Sequence, residues 1–221
     1  MTRPILLPLA LLAALGSAAL FGATASSATV MAPKPSIDEQ ANGSRETAIL
    51  AGGCFWGVEG VYRHVKGVVS VSSGYSGGIA STAHYEMTSS GTTGHAEAVH
   101  IIFNPAKISY GRILQIYFSV VADPTQKNRQ GPDTGSQYRS ALFPVSAAQA
   151  RVARAYIVQL STARVFPRPI VTTVEPYKGF YRAEAEHQNF MARNPHYPYI
   201  VVNDRPKVDA LKQQFPDAWR S

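Results

Sequence analysis

Cys54 is the only cysteine in a chain of 221 residues. No internal disulfide can form, and no cysteine cluster exists to hold a structural zinc. Whatever this chain folds into must be held by packing alone. The composition allows it: 45% apolar and 16% charged residues describe an ordinary globular domain, not a disordered tail or a collagen. The net charge of +7 comes from 21 Lys+Arg against 14 Asp+Glu. These basic residues are scattered along the chain rather than clustered, so a solvated basic surface is expected and nucleic acid is not an expected partner.

The N-terminus bears on how the lone thiol is read. Arg3 precedes an uncharged apolar run, residues 5–21, and then the small-residue string Ala23-Thr24-Ala25-Ser26-Ser27-Ala28. This pattern reads as a secretory signal peptide over residues 1–28, cleaved after Ala25 or Ala28, and so predicts export to a periplasmic or extracellular space. The run also approaches bilayer-spanning length, but Pro4, Pro8 and its small residues favour cleavage, with no stable membrane insertion afterwards. Residues 29–44, with Pro33, Pro35 and Gly43, predict a flexible linker without a core of its own. A catalytic domain then spans 45–205, followed by a C-terminal helix and tail, 206–221. In an oxidising compartment a stray exposed thiol couples into mixed disulfides, so Cys54 is either buried and inert or kept for its chemistry.

Periodicity supplies the elements. Ala48-Ile49-Leu50-Ala51 is a buried strand closed by Gly52-Gly53, and Phe55, Val58, Val61 and Tyr62 recur at helical spacing, which makes Cys54 the first residue of a helix. Residues 68–75 and 96–103 alternate as strands. Ser109 caps a helix ended by Asp123-Pro124, and Ser146-Ala147-Ala148-Gln149 is a capping box opening a helix to about Ala163. Residues 125–137 form a polar loop; 138–143 and 170–174 read as strands, and 183–193 and 206–214 as helices. Strands and helices mix without strict alternation, which makes the class α+β, one sheet covered by helices.

At a helix start, free backbone N–H groups and the helix dipole stabilise a thiolate; a free Cys with a pKa near 8.5 is only about 3% thiolate at neutral pH. Cys54 is therefore expected to be activated. Gly53 and Gly57 leave the sulfur open to approach. The adjacent rings of Phe55 and Trp56 point about 100° apart on a helix, so they cannot both enter one core, and at least one lines a pocket. Glu97 shares a strand face with Val99, Ile101 and Phe103: if that face is the core, desolvation raises its pKa and makes it a proton donor, and if the strand starts later the carboxylate is solvated. Taken singly, Asp133 reads as a turn former, and Tyr85 and Tyr138 as core residues with a hydroxyl to place.

Longer strings carry a resemblance. Gly53-Cys54-Phe55-Trp56-Gly57-Val58-Glu59 closely resembles the signature of the peptide methionine sulfoxide reductase A family, enzymes that reduce the S epimer of methionine sulfoxide. Further matches follow in order: Gly74-Tyr75-Ser76-Gly77-Gly78, Thr93-Gly94-His95-Ala96-Glu97-Ala98-Val99, Arg129-Gln130-Gly131-Pro132-Asp133, Gly135-Ser136-Gln137-Tyr138-Arg139-Ser140 and Glu186-His187-Gln188. The resemblance implies a two-layer α+β sandwich related to the ferredoxin-like arrangement. It also implies roles: Cys54 as nucleophile, Glu97 as the acid at the sulfoxide oxygen, Tyr85 and Tyr138 as hydroxyls binding that oxygen, Asp133 as a polarising carboxylate. Phe55 and Trp56 would form an aromatic box for the substrate methyl, with Gly53 and His187 completing the substrate site.

The implied substrates are oxidised proteins or peptides, the implied chain a monomer with no bound cofactor and no metal. Many relatives carry resolving cysteines near the C-terminus. Residues 194–221 contain none, so the expected reductant is an external thiol, a thioredoxin-like protein or glutathione. Thr92 stands where relatives often carry Asp. Two other classes stay open from the residues alone: a Cys-His hydrolase with His95 or His187 as base, and a non-catalytic module that captures oxidised methionine.

Overall fold

The computed structural model describes residues 30–41 and 43–221; the expected signal peptide lies outside them. Strand β1 (Glu46–Gly52) runs into helix α1 (Phe55–Arg63) and then β2 (Val68–Ser76). The one-turn helix α2 (Tyr85–Ser89) precedes β3 (Ala96–Phe103), and α3 (Tyr110–Ile116) continues into a π-helical turn, Tyr117–Val121. Ser109 caps α3 as expected, its Oγ accepting from Arg112 N–H at 3.2 Å. A two-stranded hairpin follows, β4 (Arg129–Gln130) with β5 (Asp133–Thr134), and then β6 (Ser140–Leu142), α4 (Ala147–Thr162), β7 (Thr173–Val174) and β8 (Phe180–Arg182). Helices α5 (Phe190–Arg193) and α6 (Arg205–Gln214) end the chain.

Six strands form one mixed sheet in the order β7-β6-β1-β3-β2-β8, antiparallel except for the β6–β7 pair. Its centre, β6-β1-β3-β2, is a split βαβ: β1 and β2, joined by α1, are separated by β3, the ferredoxin-like order. Alternation along the strands decides the layers. Leu50, Val99, Ile101 and Phe103 meet Phe55, Val58 and Ile113 in the main core beneath the helices. Ile49, Ala51, Ala96, Ala98, Ala141 and Phe143 form a smaller cluster against Phe180. The result is a two-layer α+β sandwich.

Four expectations change in three dimensions. Residues 183–193 are not one helix: Asn189 adopts a left-handed conformation, φ 54°, and splits them into a 3-10 turn, Ala185–His187, and α5. Its N–H donates to Glu59 Oε2 at 2.9 Å, and this tertiary bond outweighs local helix continuity. Residues 138–143 and 170–174 shorten to β6 and β7, leaving Tyr138 at the end of a 3-10 turn, Ser136–Tyr138. Residues 30–41 are not a free tether. Ala32 is buried with its N–H on Ser119 Oγ and its carbonyl on Gln115 Nε2, while Tyr156 Oη donates to Pro33 O at 2.6 Å. An extended Pro-rich backbone cannot pair its own polar groups, and the side chains of α3, α4 and the π-turn do so instead. Finally, no boundary falls at residue 205, because Val208, Leu211 and Phe215 belong to the main core.

Candidate active site

The turn between β1 and α1 fixes the sulfur. Gly53 has φ +90°, and a Cβ there would stand 2.6 Å from Gln130 Cβ, so only glycine fits. The chain then enters α1 with Cys54 as its N-cap residue, one position earlier than periodicity suggests. Cys54 is buried, with 8% of its surface exposed. A backbone N–H from Trp56 and the Lys207 ammonium favour the thiolate, as a helix start should, but burial and then the charges of Glu97 and Asp204 outweigh them and push the thiol pKa well up. The activation expected from the helix start is therefore not the resting condition: the sulfur rests as a thiol.

Glu97 lies on the core face of β3, which settles its two readings. It is 3% exposed, and its Oε2 accepts the Phe55 N–H at 3.0 Å. Burial lifts its pKa to about 8, aided by Asp133 and Asp204 and opposed by the Phe55 bond. Glu97 thus carries a proton at neutral pH, the state of a donor.

The hydroxyls come from two separate turns. Tyr85 opens α2 with its N–H on Glu184 Oε1 at 2.9 Å. Tyr138 closes the 3-10 turn. Ser136 Oγ donates to Gly91 O at 2.6 Å and Gln137 Nε2 to Ser89 O at 3.1 Å, tying that turn to the end of α2. Arg139 braces the same corner through Glu175 and the Gly94 carbonyl. Both tyrosine pKa values are raised, first by burial and then by Glu97, with Cys54 and Asp133 also acting on each. Asp133, on β5, accepts a hydrogen bond from Tyr199 Oη; burial raises its pKa against that bond.

Phe55 and Trp56 divide as their angular separation requires. Phe55 is core, with ring centroids 5.9 Å from Tyr75 and 5.2 Å from His187. Trp56 stays partly exposed, stacks on Phe190 at 3.8 Å, donates from Nε1 to His187 Nδ1 at 3.3 Å, and meets Tyr197 and Tyr199 edge-on. His187 is buried, its ring centroid 4.4 Å from that of Tyr85, and burial lowers its pKa. All nine expected site residues therefore gather around the α1 N-terminus. Five others join them unforeseen: Glu184, Phe190, Tyr197, Tyr199 and Asp204. The aromatic density of residues 190–199 was a signal; Asp204 read only as a residue before the last helix.

The hydrolase reading finds no thiol–imidazole pair. His95 uses Nδ1 to accept from Gly78 N–H and Nε2 to reach Ile79 O, and His187 Nδ1 is taken by Trp56. Among the described residues no hydrogen bond joins either ring to Cys54. Thr92 pairs its Oγ1 with Ser90 Oγ at 2.8 Å.

Comparison with known proteins settles the kinship. The family model described as peptide methionine sulfoxide reductase matches residues 46–219. This chain belongs to the peptide methionine sulfoxide reductase A family. It is 56% identical over 180 residues to peptide methionine sulfoxide reductase MsrA 2 of Mesorhizobium japonicum, covering 81% of this chain and 92% of that protein. Against MsrA of Deinococcus radiodurans it is 48% identical, covering 82% and 87%. Among solved structures, reduced Mxr1 of Saccharomyces cerevisiae shares 33% identity and a TM-score of 0.61 over 73% of this chain and 92% of that one. Methionine sulfoxide reductase A of Corynebacterium diphtheriae also shares 33%, with a TM-score of 0.60 over 72% and 80%.

Proposed function

We propose that this reductase acts on the S epimer of methionine sulfoxide, free or in proteins, and so repairs oxidised proteins after export. The observation that carries the reading is the convergence of one buried thiol, one protonated carboxyl and two hydroxyls at the α1 N-terminus. A sulfoxide sulfur is a poor electrophile until its oxygen is hydrogen-bonded or protonated. Tyr85 and Tyr138 hydrogen-bond that oxygen and Glu97 gives it a proton, while Cys54 attacks the sulfur and its own proton returns to the Glu97 carboxylate. The oxygen leaves the substrate sulfur and bonds to Cys54 as the transient bond between the two sulfurs breaks, so Cys54 is left as a sulfenic acid, oxidised by two electrons, and reduced methionine leaves. One external thiol then forms a mixed disulfide with release of water, and a second frees Cys54 as a thiol, so two thiols become one disulfide per turnover. The methyl group offers no hydrogen-bonding handle, and the Phe55 and Trp56 rings supply apolar contact. Asp133, held by Tyr199, adds negative charge that keeps Glu97 protonated.

Each epimer assayed separately with dithiothreitol tests this. Only the S epimer is expected to be consumed, and Cys54→Ser, which lacks an accessible anion near neutral pH, should retain less than about a hundredth of the activity with its fold intact. Turnover by the serine variant, or equal use of both epimers, would overturn the assignment. Sulfoxide binding without turnover would instead support a capture module.

A further inference from the structure

Three acidic groups crowd one helix N-terminus. Glu97 accepts from Phe55 N–H, Cys54 faces the Trp56 N–H, and the carboxyl of Asp204 packs against Gly57, so closely that any side chain at Gly57 would collide with its Oδ1. These are the first three residues of α1. Asp204 reaches them from an unusual posture. It is the last residue of a π-helical turn, Ile200–Asp204, that runs straight into α6, and its side chain makes no capping bond to that helix. It is fully buried; one oxygen meets Lys207 Nζ at 3.3 Å, and the other has no hydrogen-bond partner among the described residues.

A carboxylate is costly to bury. Here it lies against the positive end of α1, which carries roughly half an elementary charge and so favours one anion, not three. We propose that Asp204, an electrostatic positioning residue paired with Lys207, occupies the α1 dipole in the resting enzyme and thereby keeps Cys54 and Glu97 protonated until a sulfoxide is bound. This goes beyond the proposed reaction but rests on it, since it assumes that Cys54 is the nucleophile. The other groups facing the sulfur are Lys207, which favours the thiolate, and the hydroxyls of Tyr85, Tyr138 and Tyr199. Facing Asp204 are Lys207 and Asp133. The directions agree with the geometry: Asp204 raises both Cys54 and Glu97, and on Cys54 its push ranks above the pull of Lys207.

The consequence is protective. A thiol held protonated resists stray oxidants and disulfides, and it becomes nucleophilic only when a bound substrate accepts the Glu97 proton.

Alkylation of Cys54 by iodoacetamide against pH reads the thiol without any turnover, so its failure is distinct from failure of the proposed reaction. Asp204→Asn keeps the shape and removes the charge, and the pH midpoint of alkylation should fall by about one unit, with several-fold faster alkylation at pH 7. The alkaline limb of kcat, which reports Glu97, should move down with it. If loss of the Lys207 partner prevents folding, Asp204→Asn with Lys207→Met removes both charges, and a smaller downward shift is expected. A midpoint unchanged or raised in the folded variant overturns the proposal, because a merely structural Asp204 would leave the thiol titration in place.

Discussion

Glu97 shows how one buried carboxyl ties the proposed proton transfer to stability. Its pKa of about 8 against 4.5 for an ordinary glutamate means that the folded state holds a proton the unfolded chain releases. A raised folded value contributes stability in full below the unfolded pKa and loses it as pH rises toward 8. Glu97→Gln keeps the shape and the acceptor for Phe55 N–H but cannot donate a proton to the substrate. Turnover should drop by roughly 10² or more with little change in KM, the usual scale for general acid catalysis. Urea midpoints at pH 5.5 and 8.5 should also differ less for the variant than for the native chain. A near-native rate would place the proton source elsewhere, at Tyr85 or Tyr138.

Local signals and tertiary demands meet in α4 and the strap laid over it. Ser146 Oγ caps the helix at Gln149 N–H, 3.0 Å, but Gln149 does not close a full capping box: its side chain turns to Val145 N–H and to the Thr47 carbonyl of β1. Ser146→Ala should therefore cost about 1 kcal/mol in denaturant unfolding, the common value of an N-cap, without touching kcat. Further along, Tyr156 and Gln159 hold residues 33, 34 and 36. Tyr156→Phe deletes only the hydroxyl that Pro33 O accepts, and should destabilise by about 1 kcal/mol and quicken protease cleavage between residues 30 and 44. Unchanged cleavage would mean that Ala32 and the glutamines hold the strap unaided.

In the proposed reaction the whole sequence bears on how the cycle closes, because its one cysteine leaves no internal route from a sulfenic acid to a disulfide. A single turnover without reductant should leave one oxygen on Cys54, trapped by dimedone and visible as an intact-mass increase. A small thiol added instead should appear as a mixed disulfide at Cys54, with recycling rate set by the second thiol. Stoichiometric methionine released with neither product on the Cys54 peptide would break the scheme. Supply of the external reductant would then be the natural limit on turnover.

Alternation in β3 and helical spacing in α1 were legible along the chain, because each depends only on which residues face a core; so were the Ser109 and Ser146 caps, which act within three residues. Phe55 and Trp56 part for the same reason, their separation being fixed by the helix turn between adjacent residues. Sheet order, the Asn189 break and the strap were not legible, since each is decided by hydrogen bonds between residues more than a hundred positions apart or by packing against elements met later. The state of Cys54 marks the boundary most clearly. Its place at a helix start could be read from local spacing, and that place favours a thiolate. Its protonation belongs to the tertiary structure, which buries the sulfur and brings Glu97 from β3 and Asp204 from the start of α6 to the same helix end, where desolvation and two carboxyls outweigh one dipole.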